Sequence, residues 1–234
     1  MRFHVDPLTT LEEKARPAHA ALLVVDMQND FCAEGGAIST EQDDIRAVQE
    51  MVPTLRELLG AARAAGVLAI FTQNITSTDD NWYLSDVWLE QAARRRNGVY
   101  SQRWPCAPGS WGADFYEDIR PLPSEAVVTK HRFDAFLDTD LHTILRARRI
   151  RTVVFTGVAT EVCVETTARS AFLNDYYVVI AGDATATSSG DVHRETLNRL
   201  DYFFGQVVSS ADLIEYWRSL AADVAEPATF AADD

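Results

Sequence analysis

The sequence predicts a three-layer α/β/α sandwich, with helices on both faces of a mainly parallel, doubly wound sheet. Three observations carry that expectation. Short, wholly apolar runs recur along the chain and several stop at a polar residue, as strands buried on both faces do. Between them lie longer segments whose apolar residues recur every three or four positions, the spacing of a helix that buries one face. The 234 residues, 47% of them hydrophobic, are enough to bury a core without disulfide staples. We expect one domain over residues 1–234.

The elements follow in order. Ala-Ala-Leu-Leu-Val-Val at 20–25 is the first strand candidate and ends at Asp26. A helix is predicted over 43–65 from the spacing of Val48, Val52, Leu55, Leu58 and Ala62, with Gly66 closing it. Strands are predicted at 67–72 and at 126–129, the second ending at Lys130. Residues 140–149 read as a helix and 152–156 as a strand ending at Gly157. A helix over 161–174, with Thr160 as N-cap, follows. The remainder reads as a strand at 177–181, a helix at 191–202, a short strand at 206–208, a helix at 211–220 and a frayed tail over 225–234. Strands and helices alternating at these lengths build a parallel sheet covered on both faces. Asp183 reads as a cap for the turn at 184–187.

The alternation breaks at about 75–123. This insertion holds Trp82, Trp88, Trp104 and Trp111, and the basic run Arg94-Arg95-Arg96. Long insertions of this kind serve as lids, binding loops or interfaces. Trp82 and Tyr83 are read toward a pocket, and Trp88 with Arg94, Arg95 and Arg96 toward a subunit interface, where aromatic and arginine side chains are enriched.

Charge and cysteine usage exclude several function classes. Lys and Arg number 21 against 35 Asp and Glu, a formal net charge of −14. A field of that sign repels phosphate backbones and anionic membranes, so neither nucleic acid nor a membrane is an expected partner. The three cysteines, Cys32, Cys106 and Cys163, are too few for a disulfide framework and odd in number. No apolar run approaches the ~20 residues of a membrane span. Residues 1–16 lack the apolar core of a signal peptide. The expectation is a cytoplasmic protein with free thiols.

Three polar residues fall where predicted strands end: Asp26, Lys130 and, just past Gly157, Cys163. Ligands of open α/β sheets bind outside the carboxyl ends of the strands. A cysteine in the first turn of a helix faces unpaired N–H groups, which favour the thiolate. A partly desolvated Asp26 is a candidate base, and Lys130 a candidate cation for an oxyanion or for Asp26. Each has a plain structural reading when taken alone: a small buried helix residue, a cap for the loop at 27–30, a solvated lysine. Chemistry is favoured by the coincidence of nucleophile, proton acceptor and cation at one sheet edge.

Three segments carry a family resemblance: Val24-Val25-Asp26-Met27-Gln28-Asn29-Asp30-Phe31, Lys130-His131-Arg132-Phe133 with Phe136, and Thr156-Gly157-Val158-Ala159-Thr160-Glu161-Val162-Cys163-Val164. They resemble the signature segments of isochorismatase-like cysteine hydrolases, and the resemblance runs over residues 20–216. Within that family the chain is most similar to ureidoacrylate amidohydrolases, through Phe71-Thr72-Gln73-Asn74, residues 139–151, Cys163-Val164-Glu165-Thr166-Thr167 and Phe203-Phe204-Gly205. Biuret hydrolases and carbamoylsarcosine amidohydrolases are also similar.

The resemblance implies Asp26, Lys130 and Cys163 as a catalytic triad. It implies a cis peptide between Val158 and Ala159, and the N–H groups of Ala159 and Cys163 as an oxyanion hole. The implied reaction is cleavage of a C–N bond in a small ureido or carbamoyl compound or amide, through a thioester. Phe31, Asn74, Trp82, Tyr83, Phe133 and Asp134 are the expected substrate-binding residues. Members often carry Lys-x-Arg-Tyr-Ser, so Phe133 and Asp134 depart from the pattern. Asp134 is expected to pair with an arginine or to face a substrate nitrogen. The nicotinamidase branch holds a metal with an Asp and two His after the second strand. Residues 73–78 here contain no histidine, so no metal and no cofactor is expected. Family members are commonly homo-oligomers, which implies a dimer or tetramer. The rival readings are a nicotinamidase-like or isochorismatase-like hydrolase of another small molecule, and a non-catalytic binding module. The absent histidines, the present cysteine and the intact triad weigh against them in turn.

Overall fold

The structure, a computed structural model, describes residues 6–40, 44–76, 83–95, 105–117 and 119–225. A turn of helix, α1 (Leu11–Lys14), is held by a capping box between Thr10 and Glu13. The first apolar run is strand β1 (Ala20–Val25), buried at every position. Two short helices follow, α2 (Asn29–Cys32) and α3 (Ala37–Thr40). Helix α4 (Arg46–Ala64) comes next. Gly66, at φ 75°, turns the chain out of it, and Val67 N–H bonds back to the Ala62 carbonyl at 2.9 Å. Strand β2 (Leu68–Asn74) runs two residues past its predicted end.

The insertion contributes α5 (Asp86–Arg95) and a 3₁₀ turn, Trp111–Ala113. Strand β3 (Ala126–Lys130), α6 (Leu141–Ala147) and strand β4 (Thr152–Val158) then restore the alternation. The helix predicted over 161–174 begins as a wide π-turn, Thr160–Val164, and becomes α7 only over Glu165–Leu173. The chain ends with strand β5 (Tyr177–Ala186), α8 (Gly190–Phe203), strand β6 (Gln206–Val208) and α9 (Ser210–Ala225). The tail over 226–234 lies outside the described residues.

The six strands lie in the order β3-β2-β1-β4-β5-β6, and all five pairings are parallel. Alternate side chains of each strand enter opposite layers. Leu22 and Val24 of β1 join Phe71, Val154 and Val179 against α4 and α9, where Trp217 is fully buried. Leu23 and Val25 join Ile70, Phe155 and Ile180 against Leu141 of α6, Ala168 of α7 and Leu200 of α8. The three-layer sandwich is therefore present as predicted.

Strand β5 is five residues longer than predicted, because its register with β4 shifts between Phe155 and Gly157 and pairing resumes beyond. Asp183 thus lies inside a strand. Its carboxylate accepts from the N–H and hydroxyl of Ser210, at 2.7 and 2.8 Å, and caps α9 rather than the turn at 184–187. Gly157, at φ 97°, brings β4 against β1, and a Cβ there would overlap the Val25 backbone.

Candidate active site

The strand order reverses between β1 and β4, which opens a crevice at the carboxyl ends of these strands. Asp26 is the residue after β1, Lys130 is the last of β3, and Cys163 sits in the π-turn after β4. Asp26 has φ 48°, a left-handed backbone that few residues other than glycine, asparagine or aspartate adopt. Such outliers concentrate where the surroundings hold a functional geometry. Thr72 of β2 supplies part of that hold. It accepts from the Asp26 N–H at 3.0 Å and donates to Asp26 Oδ1 at 2.6 Å.

The structure brings the three residues together. Lys130 Nζ lies 2.7 Å from Asp26 Oδ2, and the Cys163 thiol is within hydrogen-bonding reach of the same carboxylate. The same ammonium donates to Cys163 Sγ at 3.4 Å and to the Arg132 carbonyl at 3.0 Å. Lys130 and Asp26 are 0% and 1% exposed and Cys163 is 8% exposed. A buried ion pair needs such complete hydrogen bonding to be tolerated.

Burial lowers the Lys130 pKa, but Asp26 and Cys163 beside it more than compensate and hold it above the ordinary lysine value. Burial pushes the Cys163 thiol up to about 12, against the pull of Lys130. The expectation of a helix terminus that favours the thiolate is corrected here, because desolvation raises the thiol pKa by more than its surroundings lower it. Thr160 is not the N-cap either. Ala159 occupies the cap position without a side-chain bond, and the Thr160 hydroxyl instead meets His193 Nδ1 at 2.9 Å.

The Val158–Ala159 peptide is cis. Both residues line a cavity of about 240 Å³ together with Asp26 and Cys163. Phe31, Asn74 and Phe133 line it too, and so does Trp88, whose sequence context points slightly more to an interface than to a pocket. Trp88 meets Phe133 edge-on at 4.7 Å and lies under the Arg132 guanidinium at 5.2 Å. Tyr83 does not line the cavity. It stacks on His131 at 3.6 Å with 41% of its surface exposed, because the Arg132 guanidinium holds its carbonyl at 2.7 Å.

Asp134 is also turned elsewhere. Its carboxylate accepts from Phe136 N–H at 2.8 Å and from the Ser170 hydroxyl at 2.5 Å, which fixes the loop after β3 to α7. Among the described residues no arginine pairs with it, and it does not line the cavity. Trp82, Trp104 and Arg96, with the side chain of Arg95, lie outside the described residues. Arg94 is exposed and paired with Glu90, and Trp111 is exposed at 52%.

Sequence reasoning missed the lining residues Ile38, Leu84, His131, Arg132, Glu161 and Thr187. His131, Arg132 and Glu161 carried a signal, because they adjoin Lys130 and Cys163 in the quoted segments. Among the described residues no group of three or more His, Cys, Asp or Glu is gathered as metal ligands are. No described helix is long and apolar enough to cross a membrane.

Comparison with known proteins agrees with this picture. Residues 20–212 match the isochorismatase domain. The chain is similar to the ureidoacrylate amidohydrolase RutB of Enterobacter sp. (strain 638), 34% identical over 207 residues that cover 85% of this chain and 89% of the relative. The same enzyme of Agrobacterium fabrum is 34% identical over 207 residues, covering 84% and 89%. The crystal structure of a cysteine hydrolase from Pseudomonas syringae pv. phaseolicola 1448A superposes with a TM-score of 0.77 at 29% identity, over 92% of this chain and 99% of that one.

Proposed function

Because the chain belongs to the isochorismatase family of hydrolases, we propose that it is a cysteine amidohydrolase of small ureido, carbamoyl or amide compounds. The observation that carries this reading is the buried chain Asp26–Lys130–Cys163, with its 2.7 and 3.4 Å contacts, at the wall of the cavity. The ureidoacrylate relatives support the substrate class.

In this reading Asp26 takes the Cys163 proton as the sulfur attacks the substrate carbonyl carbon. Lys130 stays protonated, orients Asp26 and stabilises the thiolate as it forms. A thiol raised to about 12 cannot supply the nucleophile by equilibrium ionisation near neutral pH, so proton transfer accompanies attack. The Ala159 and Cys163 N–H groups hold the oxyanion. Removing one such donor elsewhere costs ~2.7–4 kcal/mol. Collapse breaks the C–N bond, Asp26 returns the proton to the departing nitrogen, and ammonia or an amine leaves a thioester. Water, deprotonated by Asp26, then releases the acid and restores the thiol.

The experiment is ammonia release across a panel of ureido compounds and primary amides, with intact-mass analysis of acid-quenched enzyme. Turnover of at least one compound and an adduct on Cys163 are expected, and Cys163→Ala abolishes both. Full activity in Cys163→Ala overturns the reading. The three cysteines are free thiols, a state that reducing compartments preserve, which supports a cytoplasmic setting.

A further inference from the structure

Three carboxylates line the cavity: Asp26, Asp44 and Glu161. Asp26 is paired with Lys130 at 2.7 Å, and Asp44 with Arg46 at 2.6 Å. Glu161 has no cation partner among the described residues. Its Oε1 accepts from the Thr187 hydroxyl at 2.9 Å, which fixes the carboxylate. Its Oε2 is buried and has no hydrogen-bond partner.

Such an atom is destabilising unless something satisfies it. Thr160 and His193 bond each other, and burial lowers the His193 pKa although Glu161 pulls it up. Arg132 donates to the carbonyls of Tyr83 and His131 and stacks on Trp88. Glu161 stands two residues before Cys163 in the same π-turn, and both residues line the cavity, so the carboxylate and the thiol belong to one wall.

We infer that Glu161 is the specificity-determining acceptor of this cavity, taking an N–H of the substrate beside the carbonyl that Cys163 attacks. This rests on the amidohydrolase reading and narrows it. The substrate presents an N–H-rich neutral or cationic group to this wall, such as a terminal carbamoyl, and a carboxylate at that position is rejected by like charge. An N–H-less analogue leaves Oε2 unpaired and is discriminated against as well.

Two reagents of nearly one shape test it. Iodoacetamide offers an NH2 beside its carbonyl, and iodoacetate offers a carboxylate. The Cys163 sulfur displaces iodide from either, and Asp26 takes the thiol proton. Rates of Cys163 labelling are read by peptide mass spectrometry and divided by those of glutathione under the same conditions. The wild-type protein is expected to favour iodoacetamide tenfold or more after this normalisation. Glu161→Gln is expected to lose most of that preference through faster iodoacetate labelling, while Glu161→Asp keeps it. Glu161→Ala replaces the Gln variant if the latter does not fold.

A wild-type ratio near one overturns the inference, as does a ratio unchanged in the variant. In both cases Cys163 still reacts and the amidohydrolase reading stands. A Cys163 inert to both reagents counts against that reading, and the inference falls with it.

Discussion

One hydroxyl governs the geometry of Asp26. Thr72 both accepts from its backbone N–H and donates to Oδ1, in a strand position that is fully buried. Thr72→Val keeps the shape and removes the bonds. It is expected to lower stability by ~1–3 kcal/mol and, by loosening the proposed base, to lower kcat by about one to two orders of magnitude with little change in KM. Urea denaturation and ammonia release check the two halves. An unchanged kcat removes Thr72 from the positioning of Asp26. Asp26, Lys130 and Cys163 were legible in the sequence because each interrupts or follows an apolar strand, where a reactive group stands out against the core. Thr72 was not, because a lone threonine in a buried strand looks like any β-branched residue. Glu161 stands out in the sequence only as one position of the segment 156–164. What sets it apart is a buried Oε2 without a hydrogen-bond partner among the described residues, and that leaves no mark in a sequence.

At the scale of elements, the segment after β1 acts as an anchor for the insertion. Gln28 donates to the carbonyls of Asn74 and Ala113 at 2.9 Å each, and Asn29 to that of Trp111 at 2.7 Å. Asp30 accepts from the N–H groups of Cys106 and Ala37 at 2.7 and 3.0 Å. Gly112 passes so close that a Cβ would overlap the Asp30 carboxylate, which those two bonds keep from moving aside. Gly112→Ala is therefore expected to cost ~1–3 kcal/mol and to raise KM, because the insertion supplies Trp88 and Leu84 to the cavity. Gly60→Ala is the control. That exposed position in α4 meets nothing within 4 Å, and alanine is expected to stabilise the helix there by up to ~1 kcal/mol. Thermal melts of the two variants moving in the same direction would sink this account. The sheet and its covering helices could be read from periodicity, since burial dictates it. The anchor could not, because its partners in the insertion lie more than 70 residues away in sequence. The π-turn and the longer β5 escaped for a related reason. The longer β5 arises from how β4 and β5 pair around Gly157, which depends on a neighbouring strand, and the π-turn departs from the plain helix that local propensity predicts.

Over the whole molecule, the three cysteines that first signified only the absence of disulfides set a limit on alkaline stability. All three are buried, and burial is the first cause raising each pKa, to about 12 for Cys163 and higher still for Cys32 and Cys106. In the unfolded chain a thiol titrates from an ordinary value near ~8.5. Between that value and the folded one, the unfolded state binds fewer protons than the native state, so stability falls as pH rises. The contribution is complete below about pH 8.5 and is lost above it at about 1.4 kcal/mol per pH unit for each thiol. For Cys163 the loss ends near about 12. Lys130, raised by its partners, acts in the same direction at higher pH, as its ammonium is lost and Asp26 is left buried without a cation. The formal charge of −14 becomes more negative over the same range and adds self-repulsion. Unfolding free energies from urea titrations are expected to be level from pH 7 to 8 and to drop steeply between 9 and 11. A Cys32→Ala and Cys106→Ala double variant, less stable at neutral pH because of the cavities it opens, is expected to show a shallower drop, since two of the three titrating thiols are gone. The slope rather than the absolute stability carries the test, and a wild-type protein equally stable at pH 8 and pH 11 contradicts it.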